Sequence, residues 1–362
     1  MNSQSKSLYI ARRKTRIVEV GGVKVGGGRP VAVQSMTNTE TSDLRATLAQ
    51  LKRLKQWGCE LARVAVNTES ALKAMPELAR RSPLPLIADI QFDWKMAVGS
   101  IRAGVAGLRL NPGNLKKPEQ VKAVAQEALL RQIPIRVGVN AGSLDRELLA
   151  KHGGPTAEAM VESALREIKM LEEQGFDLIK ISLKSSDVVE TVRAYEMISQ
   201  KVDYPLHLGI TEAGTRLRGA VASAAGLGIL LYQGIGDTIR VSLSAPPEEE
   251  VRVAWMILSS LGIRSRGVQV IACPTCARTE FDVVKTAETL ERKLARVEKP
   301  LRIAIMGCIV NGPGEARLAD LGAVGTSRGV QIYEQGEHTR TIPKSKIIPE
   351  LVKLALEFVA KS

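Results

Sequence analysis

Eight short apolar runs, each followed by an amphipathic segment, occupy the first 265 of 362 residues, and no other feature limits the fold more. The runs lie at residues 31–35, 61–66, 85–90, 107–110, 134–139, 177–183, 205–210 and 238–243. Helical periodicity fills the gaps, as at 44–56, 119–131, 157–174, 188–201 and 248–260. Pro or Gly precedes several runs and punctuates the helix ends. Eight successive β-α units in about 250 residues predict a (β/α)8, TIM-type barrel. An open doubly wound sheet is the alternative, and the lack of a dinucleotide-type glycine fingerprint weighs against it.

Beyond the eighth helix the pattern changes. Residues 268–271 and 301–310 read as strands, 281–297 as a helix, 322–326 and 330–333 as short strands, and 346–360 as a closing helix. This predicts a barrel over residues 1–263 and a small α+β domain over 264–362, joined through Arg264-Ser265-Arg266-Gly267. No repeat of fixed period accompanies the β-α alternation.

A hydrophobic fraction of 44% and a charged fraction of 25% suit a soluble globular chain with a sizeable core. The formal charge of +13 raises the question of an anionic partner. Nucleic acid gains from such charge by counterion release. However, four Phe, three Trp and five Tyr are few for base stacking, and no run of five Lys or Arg occurs. A small phosphorylated ligand needs only a handful of cations. Residues 1–16 are polar and basic, unlike a secretory signal, and the longest charge-free stretch, 219–236, is interrupted by Gly, Ser and Gln. Four cysteines do not make a disulfide scaffold. These features predict a cytoplasmic protein with no membrane segment and no nucleic-acid partner.

Barrel enzymes carry their chemistry at the C-terminal strand ends, and residues two apart on a strand share a side. Arg109 and Asn111 share a parity, as do Asp89, Gln91 and Asp93, then Arg136 and Asn140, then Lys180, Ser182 and Lys184, then Arg240 and Ser242. Arg63 ends the second strand, and Thr211-Glu212 ends the seventh. Any one of these is an ordinary solvated strand end. Cations from five strands at one rim are different, because together and empty they repel one another. Arg forks and Lys point charges complement a polyanion, a diphosphate better than one carboxylate. Gly113 and Gly142, in Asn111-Pro112-Gly113-Asn114 and Asn140-Ala141-Gly142-Ser143, offer close backbone N–H donors.

The small domain holds Cys273-Pro274-Thr275-Cys276 and, ending its next strand, Cys308. Three thiolates hold an iron–sulfur cluster or most of a zinc site, and spacing leaves both open. The domain's one histidine, His338, sits in an exposed-looking stretch. Glu315, seven residues beyond Cys308, follows a Gly-Pro-Gly turn that brings its carboxylate back, though alone it reads as a loop residue. Cys59, after Trp57-Gly58, reads as packing.

Six ordered motifs now form a recognisable set: Val33-Gln34-Ser35-Met36-Thr37, Leu108-Arg109-Leu110-Asn111-Pro112-Gly113-Asn114, Gly138-Val139-Asn140-Ala141-Gly142-Ser143, Leu208-Gly209-Ile210-Thr211-Glu212-Ala213-Gly214, Ala272-Cys273-Pro274-Thr275-Cys276 and Asn311-Gly312-Pro313-Gly314-Glu315. From about residue 8 to 360 the chain resembles the bacterial 4-hydroxy-3-methylbut-2-enyl diphosphate synthase family of the non-mevalonate isoprenoid pathway, in its two-domain form. The resemblance implies reductive ring opening of 2-C-methyl-D-erythritol 2,4-cyclodiphosphate by two electrons, taken one at a time from flavodoxin or ferredoxin. It implies a [4Fe–4S] cluster on Cys273, Cys276 and Cys308 with Glu315 as an exchangeable fourth ligand, in a domain like those of nitrite and sulfite reductases. It also implies a head-to-tail homodimer in which one subunit's cluster serves the other's barrel.

On this basis Arg63, Asp89, Gln91, Arg109, Asn111, Arg136, Asn140, Lys180, Arg240 and Ser242 are the expected substrate contacts. Glu212 is the expected proton donor, its alternative being a salt bridge with a rim Arg. One position departs from the family's Ala-Asp-Ile-His-Phe-Asp motif: here it reads Ala88-Asp89-Ile90-Gln91-Phe92-Asp93. Gln91 donates a hydrogen bond but carries neither a proton nor a charge, so that position is no acid here. Two rival readings are a phosphate-ligand barrel with structural zinc, of aldolase or pterin-synthase type, and a non-enzymatic RNA-binding module.

Overall fold

The computed structural model describes residues 10–115 and 117–361; the first nine residues of the basic N-terminal stretch lie outside them. The chain divides into two compact units, one ending at Arg264 and the other starting at Ser265.

The first unit opens with a hairpin, β1 (Ile17–Val20) and β2 (Val23–Gly26). Eight parallel strands follow: β3 (Ala32–Met36), β4 (Leu61–Ala65), β5 (Leu86–Asp89), β6 (Gly107–Arg109), β7 (Ile135–Asn140), β8 (Ile179–Lys184), β9 (His207–Leu208) and β10 (Thr238–Ile239). They pair in the order β8-β7-β6-β5-β4-β3-β10-β9, and a parallel bridge between Ile181 and Leu206 joins β8 to β9, closing the ring. All eight predicted strands are present. β9 and β10 are shorter than their apolar runs; ahead of β9 a side chain takes the place of a ladder acceptor, with Asp237 Oδ2 accepting from the Leu206 N–H at 2.9 Å.

Helices α1 (Leu44–Gln56), α2 (Glu69–Arg81), α3 (Trp94–Arg102), α4 (Pro118–Leu130), α5 (Arg146–His152), α6 (Ala157–Glu172), α7 (Val188–Ser199), α8 (Arg216–Tyr232) and α9 (Pro247–Ser260) complete the unit. Their starts follow local chemistry. Asp43, Thr68, Asp93, Thr156 and Asp187 each cap a helix by accepting a backbone N–H, and Pro118 and Pro247 occupy first positions. The charge-free stretch 219–236 forms most of α8. Among the described residues no helix is long and apolar enough to cross a membrane.

Strand alternation separates two kinds of interior. Ala62, Val64, Ala88, Leu108, Val137 and Ile181 face the helices in one apolar cluster. At the N-terminal end, the opposite face places Ala32, Leu61 and Ile87 against Val18, Val20 and Val25 of the hairpin. The sequence reading missed this hairpin, whose four-residue strands are short. Its turn is Gly21-Gly22, both at positive φ, the geometry of a two-residue hairpin loop.

The second unit is a five-stranded sheet in order β11 (Val268–Ala272), β12 (Leu301–Met306), β13 (Leu321–Thr326), β14 (Gly329–Glu334), β15 (Glu337–Ile342). The first three strands are parallel and the last two antiparallel. Helices α10 (Val283–Lys293) and α12 (Ile347–Ala360) bury Val283, Leu290, Leu351 and Leu354 against Leu301, Ile303 and Ile332. The short α11 (Gly312–Arg317) packs Ala316 against Ala304, Met306 and Val324. β15, mostly exposed and polar, lacks the alternation that marks a half-buried strand and was not foreseen.

The hairpin turn yields a graded prediction. A Cβ on Gly21 would lie 2.7 Å from Pro85 Cβ and 2.8 Å from Ala106 Cβ, whereas one on Gly22 meets nothing within 4 Å. Both substitutions strain a left-handed backbone, and only the first also collides. Gly21→Ala is expected to destabilise the fold by about 2–4 kcal/mol and Gly22→Ala by about 1 kcal/mol in denaturant unfolding. Equal losses would show that the hairpin does not pack into the barrel end.

Candidate functional site

At the C-terminal half of the barrel the inward positions turn from apolar to charged. Asp89, Arg109, Arg136 and Lys180 stand on successive strands in register, Asp89 opposite Arg109, Arg109 opposite Arg136, and Arg136 opposite Lys180, while Arg63 lies on β4 two residues before Ala65, the residue opposite Asp89. Arg109, Arg136 and Lys180 are buried. The lone carboxylate among them, Asp89, lies 3.5 Å from Arg63 Nε and 3.6 Å from Arg109 Nη1. Gln91 bridges the same pair: its Nε2 donates to Asp89 Oδ1 at 3.4 Å and its Oε1 accepts from Arg109 Nη1 at 3.2 Å.

Glycine makes this crowding possible. A Cβ on Gly138 would sit 2.9 Å from Arg109 Nε and 3.3 Å from Arg136 Nη1, so its absence lets two guanidinium groups pass the wall of β7. Arg109 Nη2 donates to the Gly138 carbonyl at 2.9 Å, and Asn111 Oδ1 accepts from the Gly138 N–H at 2.8 Å. Asn111 is thereby committed through its oxygen. Arg136 donates to Ser182 Oγ, and its Nε and Nη2 have no partner among the described residues. Lys180 Nζ is likewise buried without a partner among them. Burial holds the Lys180 ammonium down to about 7, with Arg136 adding repulsion.

Arg240, just beyond β10, faces Glu250 of α9 at 3.4 Å, and Ser242 follows it, half-buried. Asn140 closes β7 opposite Lys184. Glu212 has a positive φ of 50°, is exposed, and forms no ion pair among the described residues, so the salt bridge with a rim arginine is not made. Gly113 and Gly142 lie in short 3-10 turns after β6 and β7.

In the second unit, the cysteines gather at the C-terminal end of the parallel strands. Cys273 follows β11 and its N–H donates to the Ile305 carbonyl at 3.2 Å. Its Sγ accepts from the Gly307 N–H at 3.1 Å, beside Cys308. The loop carrying Cys276 is tied to the same place, since the Glu280 N–H donates to the Gly307 carbonyl at 2.8 Å. Exposed Cys276 is held below the usual thiol range, chiefly by the Arg278 backbone N–H. Glu315 occupies the first turn of α11, an exposed helical position rather than the returning turn expected from Gly-Pro-Gly. Pro313 is compatible with the first turn of a helix, which explains the difference.

Among the described residues no three His, Cys, Asp or Glu side chains converge on one ion centre. His338 lies on β15, at the opposite edge of the sheet from β11. Four strand spacings separate those edges, about 19 Å. It is no fourth ligand for a zinc on Cys273. Three thiols at one end of the parallel strands, one of them already accepting a backbone N–H, have the chemistry to hold an iron–sulfur group or a zinc ion.

The description GcpE TIM-barrel domain fits residues 15–255, and GcpE protein C-terminal domain fits residues 269–357. The chain belongs to the GcpE family. A relative from Caldanaerobacter subterraneus, named 4-hydroxy-3-methylbut-2-en-1-yl diphosphate synthase (flavodoxin), is 51% identical over 342 residues, covering 94% of this chain and 96% of its own. One of the same name from Acidothermus cellulolyticus is 52% identical over 354 residues, covering 97% and 90%. Among solved structures, the truncated 3-deoxy-D-arabino-heptulosonate 7-phosphate synthase from Thermotoga maritima shares the barrel fold, with a TM-score of 0.50 and 12% identity over 70% of this chain and 95% of its own.

The GcpE barrel holds further groups that sequence reasoning did not select. Lys184 Nζ lies 3.3 Å from His207 Nε2. Glu250 accepts from Arg240, Ser35 Oγ and the Leu243 N–H. Lys184 shared the parity of Lys180 and was legible. His207 precedes the strand end, and Glu250 reads as an acidic first turn of a helix, so neither gave a signal.

Lys180 sets a pH dependence. Its ordinary value near 10.4 applies in the unfolded chain and about 7 in the folded one. Between these limits the unfolded state binds more protons, so ligand-free stability rises with pH, by up to about 1.4 kcal/mol per unit. Below about 7 both states are protonated and this contribution is flat. Lys184, also lowered by burial, adds in the same direction. Denaturant unfolding from pH 7 to 10 is expected to show the rise, with a smaller slope in Lys180→Met; an unchanged slope would remove Lys180 from the buried layer.

Proposed function

We propose that this chain is a cytoplasmic 4-hydroxy-3-methylbut-2-en-1-yl diphosphate synthase of isoprenoid precursor biosynthesis. It would open 2-C-methyl-D-erythritol 2,4-cyclodiphosphate to (E)-4-hydroxy-3-methylbut-2-enyl diphosphate. In this reaction the ring C–O bond breaks with its oxygen staying on the diphosphate, the neighbouring carbon hydroxyl is protonated and leaves as water, and the two electrons that enter leave a C=C double bond between the two carbons. The observation that carries the reading is the buried layer of Arg109, Arg136 and Lys180 with Arg63 and Arg240, in a chain half identical to relatives of that name along nearly their whole length. Cations buried without anions are costly, and a cyclic diphosphate is their complement.

In this reading Arg63, Arg109, Arg136 and Arg240, with Asn140, Ser242 and the free amide of Asn111, hold the diphosphate and its developing charge. Asp89 and Gln91 orient Arg63 and Arg109. Lys180 contributes positive charge from below. Glu212, on a strained turn and unpaired among the described residues, delivers the proton to the departing oxygen. Cys273, Cys276 and Cys308 hold a [4Fe–4S] cluster with Glu315 as exchangeable ligand, in a domain of nitrite and sulfite reductase type. When bound, that cluster supplies electrons one at a time and a Lewis-acidic iron. Flavodoxin, which the relatives' names specify, or ferredoxin is the reductant. A head-to-tail homodimer completes the reading, one subunit's cluster serving its partner's barrel.

Anaerobic purification should give about four irons per chain with matching sulfide, lost in Cys308→Ser. With a dithionite-reduced viologen, the cyclic diphosphate should be turned over. Glu212→Gln should lower kcat by about 10²-fold or more while iron content and KM stay near wild type. Iron without turnover would assign the defect to Gln91, with Gln91→His restoring activity. Zinc without iron would overturn the proposal. Co-assembled Cys308→Ser and Arg136→Met chains should recover about a quarter of wild-type turnover, because only mixed dimers pair a sound barrel with a sound cluster.

A further inference from the structure

His207 is fully buried at the start of β9, inside a barrel layer otherwise filled with cations. Lys184, Arg136, Lys180 and Arg63 all press on it electrostatically, and burial with these charges keeps its ring neutral. Its two nitrogens have different partners. Nε2 faces Lys184 Nζ at 3.3 Å, and Nδ1 faces Thr238 Oγ1 at 2.7 Å. Burial and the nearby Arg136, Arg63, Arg240 and Arg109 lower the Lys184 ammonium well below its ordinary range, and an anion in the barrel offsets that repulsion. Charged Lys184 has donors only, so with it Nε2 accepts and the ring proton sits on Nδ1, donating to Thr238. The backbone that carries the ring is held in place, because Tyr195 Oη donates to the His207 carbonyl and accepts from the Leu183 N–H at 3.1 Å.

A second observation concerns the path of the lysine. A Cβ on Gly209 would lie 2.8 Å from Lys184 Nζ and 3.2 Å from its Cε. The bare backbone beyond β9 is therefore the channel through which Lys184 reaches His207. Every other cation of the layer that has an ionic partner meets a carboxylate: Arg63 and Arg109 meet Asp89, and Arg240 meets Glu250. Lys184 forms no ion pair among the described residues.

We infer that His207 is a positioning residue that holds the Lys184 ammonium, over Gly209, with a neutral acceptor, so that its full positive charge is directed to an anionic ligand in the barrel. The inference rests on the diphosphate reading of this cavity. A carboxylate in the same place would hold Lys184 equally well but cancel its charge, and so compete with the ligand. Glutamine places an acceptor where Nε2 stands, whereas asparagine reaches only the Nδ1 position.

The test has two arms on the full-length chain. With only three histidines, His152, His207 and His338, nitrogen-15 NMR of the imidazoles is well separated. His207 should be neutral at pH 7 with the proton on Nδ1, and Lys184→Met should move its Nε2 resonance. An Nε2-protonated ring, or no response to Lys184→Met, would overturn the inference without reference to any ligand. Calorimetric binding of the cyclic diphosphate forms the second arm. His207→Asn and Lys184→Met should each weaken binding about tenfold or more, and His207→Gln by less than about threefold. His207→Glu should weaken it as much as Lys184→Met. In the Lys184→Met background, His207→Asn should cost nothing further; a full additional loss would make His207 merely structural and overturn the inference. Absence of binding by the wild-type chain would instead count against the diphosphate reading and, with it, against the ligand-directed half of the inference, while the NMR arm decides the lysine's partner.

Discussion

Uncompensated positive charge inside the barrel is the constraint on which the rest of the structure depends. Among the described residues, Asp89 is the only carboxylate paired with Arg63 and Arg109, Glu250 serves Arg240, and Arg136 and Lys180 form no ion pair. Desolvation of such groups is unfavourable by several kcal/mol each after relaxation. The apolar shell between strands and helices, continuous from Val31 through Leu258, has to offset it. Binding of an anion relieves the repulsion, so function and stability pull in opposite directions at the same residues.

Much of this was legible because barrels tie chemistry to strand parity. Arg109 and Asn111, or Lys180 and Ser182, share a side whatever the tertiary details, and eight β-α units specify which end matters. What the pattern cannot carry is the identity of a partner across the barrel. His207 lies one residue from an apolar strand end and looks like core, and Glu250 looks like helix-start chemistry. Gly138 and Gly209 read as strand glycines, while their role is to leave space for side chains arriving from other strands. Short strands with weak alternation, β1, β2 and β15, were invisible for a different reason: they pair locally in hairpins, but four residues or a mostly exposed face carry little hydrophobic periodicity.

The small unit shows a different balance. Its cysteine positions were plain from spacing, but the choice between zinc and a cluster was not. The sheet order removes His338 as a ligand beside Cys273, since the two lie on opposite edges. Glu315 illustrates the reverse, since Gly-Pro-Gly suggested a turn where the chain instead starts α11. Proline restricts φ to a value that a turn and a first helical turn share, so the local sequence does not choose between them.

The hairpin at the barrel's N-terminal end has a consequence for traffic. Val18, Val20 and Val25 fill that end against Ala32, Leu61 and Ile87 with hydrocarbon. Field lines from the cations above are focused away from this low-dielectric floor and leave by the opposite mouth. On the proposed diphosphate reading, substrate enters and product leaves by that one mouth, so occupancy by product blocks entry. The chamber works as a cul-de-sac.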